Sequence, residues 1–172
     1  MIKPAHLFSV SLLICLATGV MAQSGSLVGT WKLDVSQSDF GRDPALRSFT
    51  FTMTKDSPEL GSYRGHGVDH DGKPVSFLWS GPEDGTMHPV KNAGGKTLGM
   101  QSLKKQADGS ILRHGEDSSD GSSFNAVGKV SDDGKTLTDE GTEKSKDGTE
   151  TKVRQVYHRV AAAAAGEKAK SQ

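Results

Sequence analysis

The sequence predicts an all-β fold, an antiparallel up-and-down β-barrel of about eight to ten strands. Apolar and polar residues alternate along most of the chain, as at Phe49, Phe51 and Met53, which are separated by single threonines. Such alternation is typical of a half-buried strand, and no segment before residue 160 has a helical period. Because a long open meander has two exposed edges, it is expected to close into a barrel. Asp-Gly pairs, which favour tight hairpin turns, occur at Asp71-Gly72, Asp84-Gly85, Asp108-Gly109, Asp120-Gly121, Asp133-Gly134 and Asp147-Gly148.

The first predicted strand covers residues 27–35. Its polar residues Thr30, Lys32 and Asp34 share one face of the strand, and its apolar positions share the other. The residues of the apolar face are Leu27, Gly29, Trp31, Leu33 and Val35. Residues 36–46 follow as a first long connection, because this segment loses the alternation and contains Pro44.

The remaining strands are predicted between the turn signals. They cover residues 47–54, 61–69, 74–80, 97–106, 110–117, 123–131, 135–144 and 149–160. Residues 81–95 are predicted to be a second long connection. This segment holds Pro82, Pro89 and two adjacent glycines, and proline is rare inside a sheet.

The two ends of the chain differ in composition from the barrel domain, which is predicted over residues 23–160. Residues 1–22 have the pattern of a signal peptide: a short start with Lys3, an apolar stretch, and small residues before a cleavage site after Ala22. The mature chain is therefore expected to be exported, either to a periplasm or to the medium. Cys15, the single cysteine, is expected to leave with the leader. Residues 161–172 are rich in alanine and are expected to form a frayed, partly helical tail.

Charge and motifs exclude several classes of function. The 21 basic residues equal the 21 acidic ones, so the basic footprint that nucleic acid or an anionic membrane requires is not expected. Nor is insertion into a membrane expected once the leader is cleaved. His66 and His70 are four residues apart on one strand, about 13 Å, which is too far for both to bind one metal ion. No catalytic residue, metal ligand or cofactor is predicted, and the oligomeric state is left open.

The first strand also carries a family resemblance. Residues 29–33, Gly-Thr-Trp-Lys-Leu, resemble the Gly-x-Trp opening of lipocalins and, more closely, of fatty-acid-binding proteins. Longer stretches, at residues 29–41, 71–75 and 130–138, look like a family of uncharacterised secreted bacterial proteins described as lipocalin-like. The resemblance implies a closed barrel with an internal ligand cavity.

The resemblance also implies roles for individual residues. Gly29 and Trp31 would form the barrel floor, with Trp31 plugging it. A basic residue of the last strand, either Arg154 or Arg159, would pack across Trp31. Tyr157 and Arg159 share a strand face and could together hold a carboxylate, although Arg154 and Tyr157 do not have the spacing found in fatty-acid-binding proteins.

The leading functional hypothesis is binding of a small, largely apolar molecule inside the barrel. Trp79 precedes the predicted connection over residues 81–95 and is therefore expected near the open mouth. Two alternatives stand beside this hypothesis: a solidly packed barrel that acts as an envelope interaction or structural module, and an enzyme that acts on a bound lipid. The expected ligand contacts are Phe49, Phe51, Met53, Phe77, Trp79, Tyr157 and Arg159.

Overall fold

The computed structural model describes residues 25–161, which form a closed antiparallel barrel of ten strands. Each strand pairs with its neighbours in sequence, and β1 closes the barrel by pairing with β10. The predicted all-β, up-and-down barrel is thus confirmed. The strands are β1 (Gly29–Leu33), β2 (Ser48–Ser57), β3 (Leu60–Val68), β4 (Pro74–Gly81), β5 (His88–Lys91), β6 (Thr97–Lys105), β7 (Ile111–Asp117), β8 (Ser123–Val130), β9 (Thr136–Lys144) and β10 (Glu150–Val160).

Helical structure within residues 25–161 is confined to one 3-10 turn, Val35–Gln37. None of the helical structure in this part of the chain is long and apolar enough to cross a membrane. The predicted signal peptide, and all of the predicted tail except residue 161, lie outside the described residues.

Five of the six Asp-Gly pairs lie in hairpin turns, as predicted. The sixth, Asp84-Gly85, lies within the connection between β4 and β5, where Asp84 forms an isolated bridge with Lys104. The glycine of each of the six pairs has a positive φ, between 69° at Gly134 and 96° at Gly85, which only glycine adopts at little cost. The aspartate of a pair can also stabilise the turn through its side chain. Asp108 Oδ1, for example, accepts hydrogen bonds from Ser110 N at 3.0 Å and Ser110 Oγ at 2.6 Å. These local bonds set the register of the strands that the turns connect.

Strand β5 is the element that the sequence did not predict. Strand β5 pairs with β6 along its whole length, beginning with His88 opposite Gln101. Its pairing with β4, in contrast, consists of the single pair Leu78–Lys91. Pro89 therefore lies where β4 offers no ladder partner, which is the setting in which a strand tolerates proline. The expectation of a continuous connection over residues 81–95 is wrong for this reason.

The antiparallel order gives the barrel two different ends. The connection over residues 34–47 and the turns over residues 69–73, 92–96, 118–122 and 145–149 lie at one end, which we call the open end. The other connections and the start of β1 lie at the opposite, closed end. Most of the buried core packs toward the closed end, in two clusters. One contains Trp31, Leu33, Val130, Leu137 and Tyr157, and the other contains Met53, Trp79, Leu103 and Ile111.

Trp31 and Arg159 seal the closed end together. Trp31 is fully buried, its indole N–H donates to the Leu27 carbonyl at 2.8 Å, and the Arg159 guanidinium lies 4.1 Å from its ring centroid. Arg159 also donates to the carbonyls of Gly134 and Val28, each at 2.6 Å. The arginine thereby ties the start of β1 to the turn between β8 and β9.

Gly29 lies next to the seal formed by Trp31 and Arg159, whereas Arg154 does not contact it. Gly29 has a φ of +138°, and a side chain there would collide with the Arg159 guanidinium. Arg154 lies away from Trp31: it pairs with Glu140 at 2.9 Å and donates to the Gln37 carbonyl at 3.0 Å. The basic residue that packs on Trp31 is therefore Arg159.

A buried carboxyl group lies in the connection between β4 and β5. Glu83 is 3% exposed, and within residues 25–161 neither of its carboxylate oxygens has a hydrogen-bond partner. The Glu83 side chain and the Trp79 ring together fill the space beside the Cα of Gly61, which has no side chain of its own. Burial, and then the negative charge of Asp56, raise the pKa of Glu83 to about 7. The neutral acid is therefore the form that this site favours.

Stability is expected to fall between pH 4.5 and about pH 7 because of Glu83. The pKa of this group is about 7 in the folded protein and near its ordinary value of 4.5 in the unfolded chain. The folded state therefore holds a proton that the unfolded state has lost, and this contribution disappears as pH rises through the folded pKa. In Glu83→Gln the decline should vanish, and the free energy of unfolding at pH 8 should rise by about 1–3 kcal/mol. Urea unfolding at pH 5 and pH 8 measures both effects.

Glu59→Gln is the matched control, because Glu59 is exposed in the turn between β2 and β3. It should leave the slope of stability against pH unchanged. An undiminished slope in Glu83→Gln would assign the pH dependence to other groups.

Candidate ligand-binding cavity

The barrel contains a cavity of about 720 Å³, which extends from the middle of the barrel to the loops of the open end. Ligand pockets in proteins commonly measure about 300–1,000 Å³. The interior is therefore not packed solid, and the space is large enough for a small organic molecule.

Apolar side chains from β2 and β4 form one wall of the cavity. Phe49, Phe51 and Met53 point inward from alternate positions of β2, and Phe77 does so from β4. The rings of Phe49 and Phe77 meet edge to face, with centroids 5.6 Å apart. The Phe49 ring covers Gly65 on the neighbouring strand, where a side chain would overlap it. This wall suits an apolar ligand because its aromatic faces offer large contact areas.

The cavity is also lined by a polar cluster, which we define as Tyr63, Gln101, Arg113 and Asp139. Arg113 and Asp139 form an ion pair between β7 and β9. Tyr63 donates to Gln101 Oε1 at 3.0 Å, and Arg113 Nη2 lies 3.5 Å from the same oxygen. The ring of Phe124 lies 5.2 Å from the Arg113 guanidinium. The cluster contains one positive and one negative charge, so it is neutral as a whole.

Two atoms of the polar cluster have no hydrogen-bond partner among residues 25–161: Gln101 Nε2 and Asp139 Oδ1. Both side chains line the cavity, and their residues are only 4% and 7% exposed. One atom is a donor and the other an acceptor. Buried polar atoms are nearly always hydrogen-bonded, so this donor and this acceptor each leave a hydrogen bond that the protein does not make.

The two phenols and the arginine of the cavity keep fixed protonation states near neutral pH. Burial raises the pKa of Tyr63. Burial also raises the pKa of Tyr157, and the Asp139 charge raises it further. Burial lowers the pKa of Arg113, but the charge and hydrogen bond of Asp139, together with the phenols of Tyr63 and Tyr157, outweigh burial and the pKa rises. Neutral phenols and a permanently charged arginine suit binding better than acid–base catalysis, which needs a pKa near the working pH.

The structure brings five of the seven predicted ligand contacts to the cavity. Trp79 is not among the lining residues, and its expected position near the mouth is wrong. It is 2% exposed, stacks on Tyr63 at 5.9 Å and donates to the Gln101 carbonyl at 3.0 Å. The missed strand β5 explains the error, since β4 ends at the closed end of the barrel. The five lining residues are Phe49, Phe51, Met53, Phe77 and Tyr157.

Arg159 also lies outside the cavity, so the pair of Tyr157 and Arg159 does not form a carboxylate site. The Arg159 guanidinium is bound to backbone carbonyls at the closed end. The Tyr157 hydroxyl donates instead to Gln155 Oε1 at 2.6 Å. Tyr157 thus contributes to the cavity wall without a cationic partner from its own strand.

None of the four residues of the polar cluster, Tyr63, Gln101, Arg113 and Asp139, was predicted from the sequence. The sequence nevertheless contains an indication of these residues. Each is a polar residue whose neighbours two positions away in its strand also face into the barrel. Arg113 follows Ile111 on β7, and Asp139 follows Leu137 on β9. A charged residue on the apolar face of a strand is a candidate for a buried pair. The partner could not be identified without the register of the barrel.

Acidic residues predominate at the mouth of the cavity. Six carboxylates and two lysines line this region, and within residues 25–161 no three metal-binding side chains form a cluster. Burial, and then the charges of Asp43 and Asp120, raise the pKa of Glu143. The excess of negative charge at the mouth is therefore electrostatically unfavourable to anions. The charged lining residues are Asp43, Glu116, Asp117, Asp120, Glu143, Asp147, Lys144 and Lys146.

Several solved structures are similar to this chain in shape. A redesigned beta barrel has 14% identity and a TM-score of 0.48, over 78% of this chain and 92% of that chain. Rv2717c from M. tuberculosis has 13% identity and a TM-score of 0.48, over 78% and 93%. A de novo designed fluorescence-activating beta barrel has 18% identity and a TM-score of 0.41, over 77% and 93%. No protein-family model and no curated protein matches the chain.

Proposed function

We propose that this protein binds a small, largely apolar molecule inside its barrel. The observation that carries the proposal is the cavity of about 720 Å³, with Phe49, Phe51 and Phe77 on its wall. An aromatic wall beside a few polar groups is the usual composition of a small-molecule pocket. A barrel that served only as a structural module would gain stability from filling this space.

Catalysis is the weaker alternative. The cavity does bring titratable groups together, but the raised pKa values of Tyr63 and Tyr157 leave both as neutral phenols. A proton-transfer role would require a group that changes its charge near neutral pH. Binding therefore accounts for the geometry with fewer assumptions.

The neutral dye N-phenyl-1-naphthylamine tests the proposal, because its fluorescence rises when it enters an apolar site. The protein is expected to bind the dye saturably. Phe77→Ser should weaken the affinity about tenfold, since it removes an aromatic contact and places a hydroxyl in the apolar wall. Fluorescence titration of both proteins gives the two dissociation constants.

Leu78→Ser is the matched control for this titration. Leu78 is the next residue of β4 and is 41% exposed on the outer surface, so its loss should leave dye affinity unchanged. Absence of saturable binding by the unaltered protein, or equal losses in the two variants, would contradict a binding site inside the barrel.

A further inference from the structure

We infer that the cavity selects a ligand whose polar head group is neutral and both donates and accepts a hydrogen bond, such as a primary alcohol or a primary amide on an apolar chain. This inference rests on the proposed function and specifies its ligand class. Its basis is the polar cluster, in which a buried donor and a buried acceptor both lack partners within residues 25–161.

The unpaired atoms set the hydrogen-bonding requirement. Gln101 Nε2 can only donate, and Asp139 Oδ1 in its ionised form can only accept. Arg113 contacts both residues, since one of its nitrogens bonds to Asp139 and another lies near Gln101 Oε1. The two unpaired atoms therefore belong to one connected cluster. A hydroxyl or an amide offers both an acceptor for Gln101 Nε2 and a donor for Asp139 Oδ1, whereas a carboxylate cannot donate and an ammonium cannot accept.

The charges of the cluster set the second requirement. Asp139 already neutralises Arg113, so the positive charge that a carboxylate ligand needs is occupied. A carboxylate beside Asp139 would add a second negative charge in a partly buried site, which is strongly unfavourable. The acidic mouth adds repulsion along the entry path. A neutral head group avoids both costs.

Gly128 leaves room for a head group beside Asp139. It lines the cavity, and a methyl group on its Cα would lie 3.6 Å from Asp139 Oδ1. That distance is ordinary van der Waals contact, so alanine is compatible with the fold at this position. The added methyl group would cover the carboxylate oxygen that a ligand is proposed to reach. Gly128→Ala is therefore a test of head-group recognition that leaves the ion pair in place.

The test compares four ligands with the same chain and different head groups: decan-1-ol, decanamide, decanoate and decylamine. Each displaces N-phenyl-1-naphthylamine from the full-length protein at neutral pH. The alcohol and the amide are expected to bind about tenfold more tightly than decanoate and decylamine, because a buried polar group left unpaired costs roughly this factor. Phe77→Ser, the control, should weaken the binding of all four ligands and keep their order.

Two variants examine the polar cluster directly. Gly128→Ala should reduce the advantage of the alcohol over decanoate about tenfold, since Asp139 Oδ1 is no longer reachable. Asp139→Asn should reverse the order, so that decanoate binds most tightly, because Arg113 then carries an unneutralised positive charge. Circular dichroism confirms the fold of each variant. If Asp139→Asn fails to fold, the Gly128→Ala comparison decides.

The outcomes separate this inference from the proposed function. Failure of the protein to bind the dye contradicts the function itself. If the dye binds but the four ligands have equal affinities, the cluster is satisfied by water and the inference is wrong. Tightest binding of decanoate or decylamine to the unaltered protein would also overturn it, while binding inside the barrel would still stand.

Discussion

Trp31→Ala is expected to lower the free energy of unfolding by about 3–5 kcal/mol, the usual cost of removing a large buried aromatic side chain. Trp31 is fully buried, stacks near Phe51 with centroids 6.5 Å apart and lies under the Arg159 guanidinium. A domain of this size has only about 5–15 kcal/mol of stability in total. Urea unfolding followed by far-UV circular dichroism measures the loss.

Two further variants separate the contributions of the ring. Trp31→Phe keeps an aromatic face for Arg159 but removes the hydrogen bond to the Leu27 carbonyl, so it should cost less than Trp31→Ala. Leu112→Ala changes an apolar residue that is 41% exposed on β7, and should change stability by less than about 0.5 kcal/mol. If Trp31→Ala cost no more than Leu112→Ala, the closed end would not depend on this side chain.

The strand pattern could be predicted from the sequence because it depends on local chemistry. A two-residue period and the positive φ of Asp-Gly turns are properties of neighbouring residues, so β2 and the turn at Gly134 need no tertiary information. Strand β5 was missed because Pro89 argues against a strand on local grounds. It is accommodated only because the ladder between β4 and β5 is confined to one residue pair, and that is a property of the closed barrel.

The candidate site was only partly predictable, for a similar reason. The aromatic wall follows from the alternation in β2, since Phe49 and Phe51 must share a face. The polar cluster depends on the pairing of strands that are distant in sequence: Arg113 and Asp139 are 26 positions apart. Sequence alternation shows that each points inward, but the height at which they meet is set by the register of β7, β8 and β9.

Export remains a prediction from the sequence alone, because residues 1–22 lie outside the described part of the chain. The same applies to processing before Gln23. The family resemblance has a comparable status. The packing of Arg159 on Trp31 is compatible with it, while the charge balance around Arg113 argues against the carboxylate binding of fatty-acid-binding proteins.

Arg113→Met is expected to destabilise the protein by about 3 kcal/mol, because it leaves Asp139 as an unpaired charge in a buried position. This value is at the low end for a broken buried ion pair, since the Arg113 side chain is 28% exposed toward the cavity. Arg113→Met also removes a contact to Gln101. Thermal and urea unfolding at neutral pH measure the loss.

The double variant Arg113→Met/Asp139→Leu should recover most of that stability, because replacing both members of a buried ion pair with apolar residues is often neutral. A double-mutant cycle then gives the coupling energy of the pair, which should exceed about 1 kcal/mol for side chains in direct contact. The double variant should also reduce the preference of the cavity for an alcohol over the matching alkane, since it keeps the apolar wall and Gln101 but removes the charged pair. Additive effects of the two substitutions would mean that Arg113 and Asp139 do not act as a pair, and the proposed selectivity, which depends on Asp139 compensating the charge of Arg113, would lose its basis.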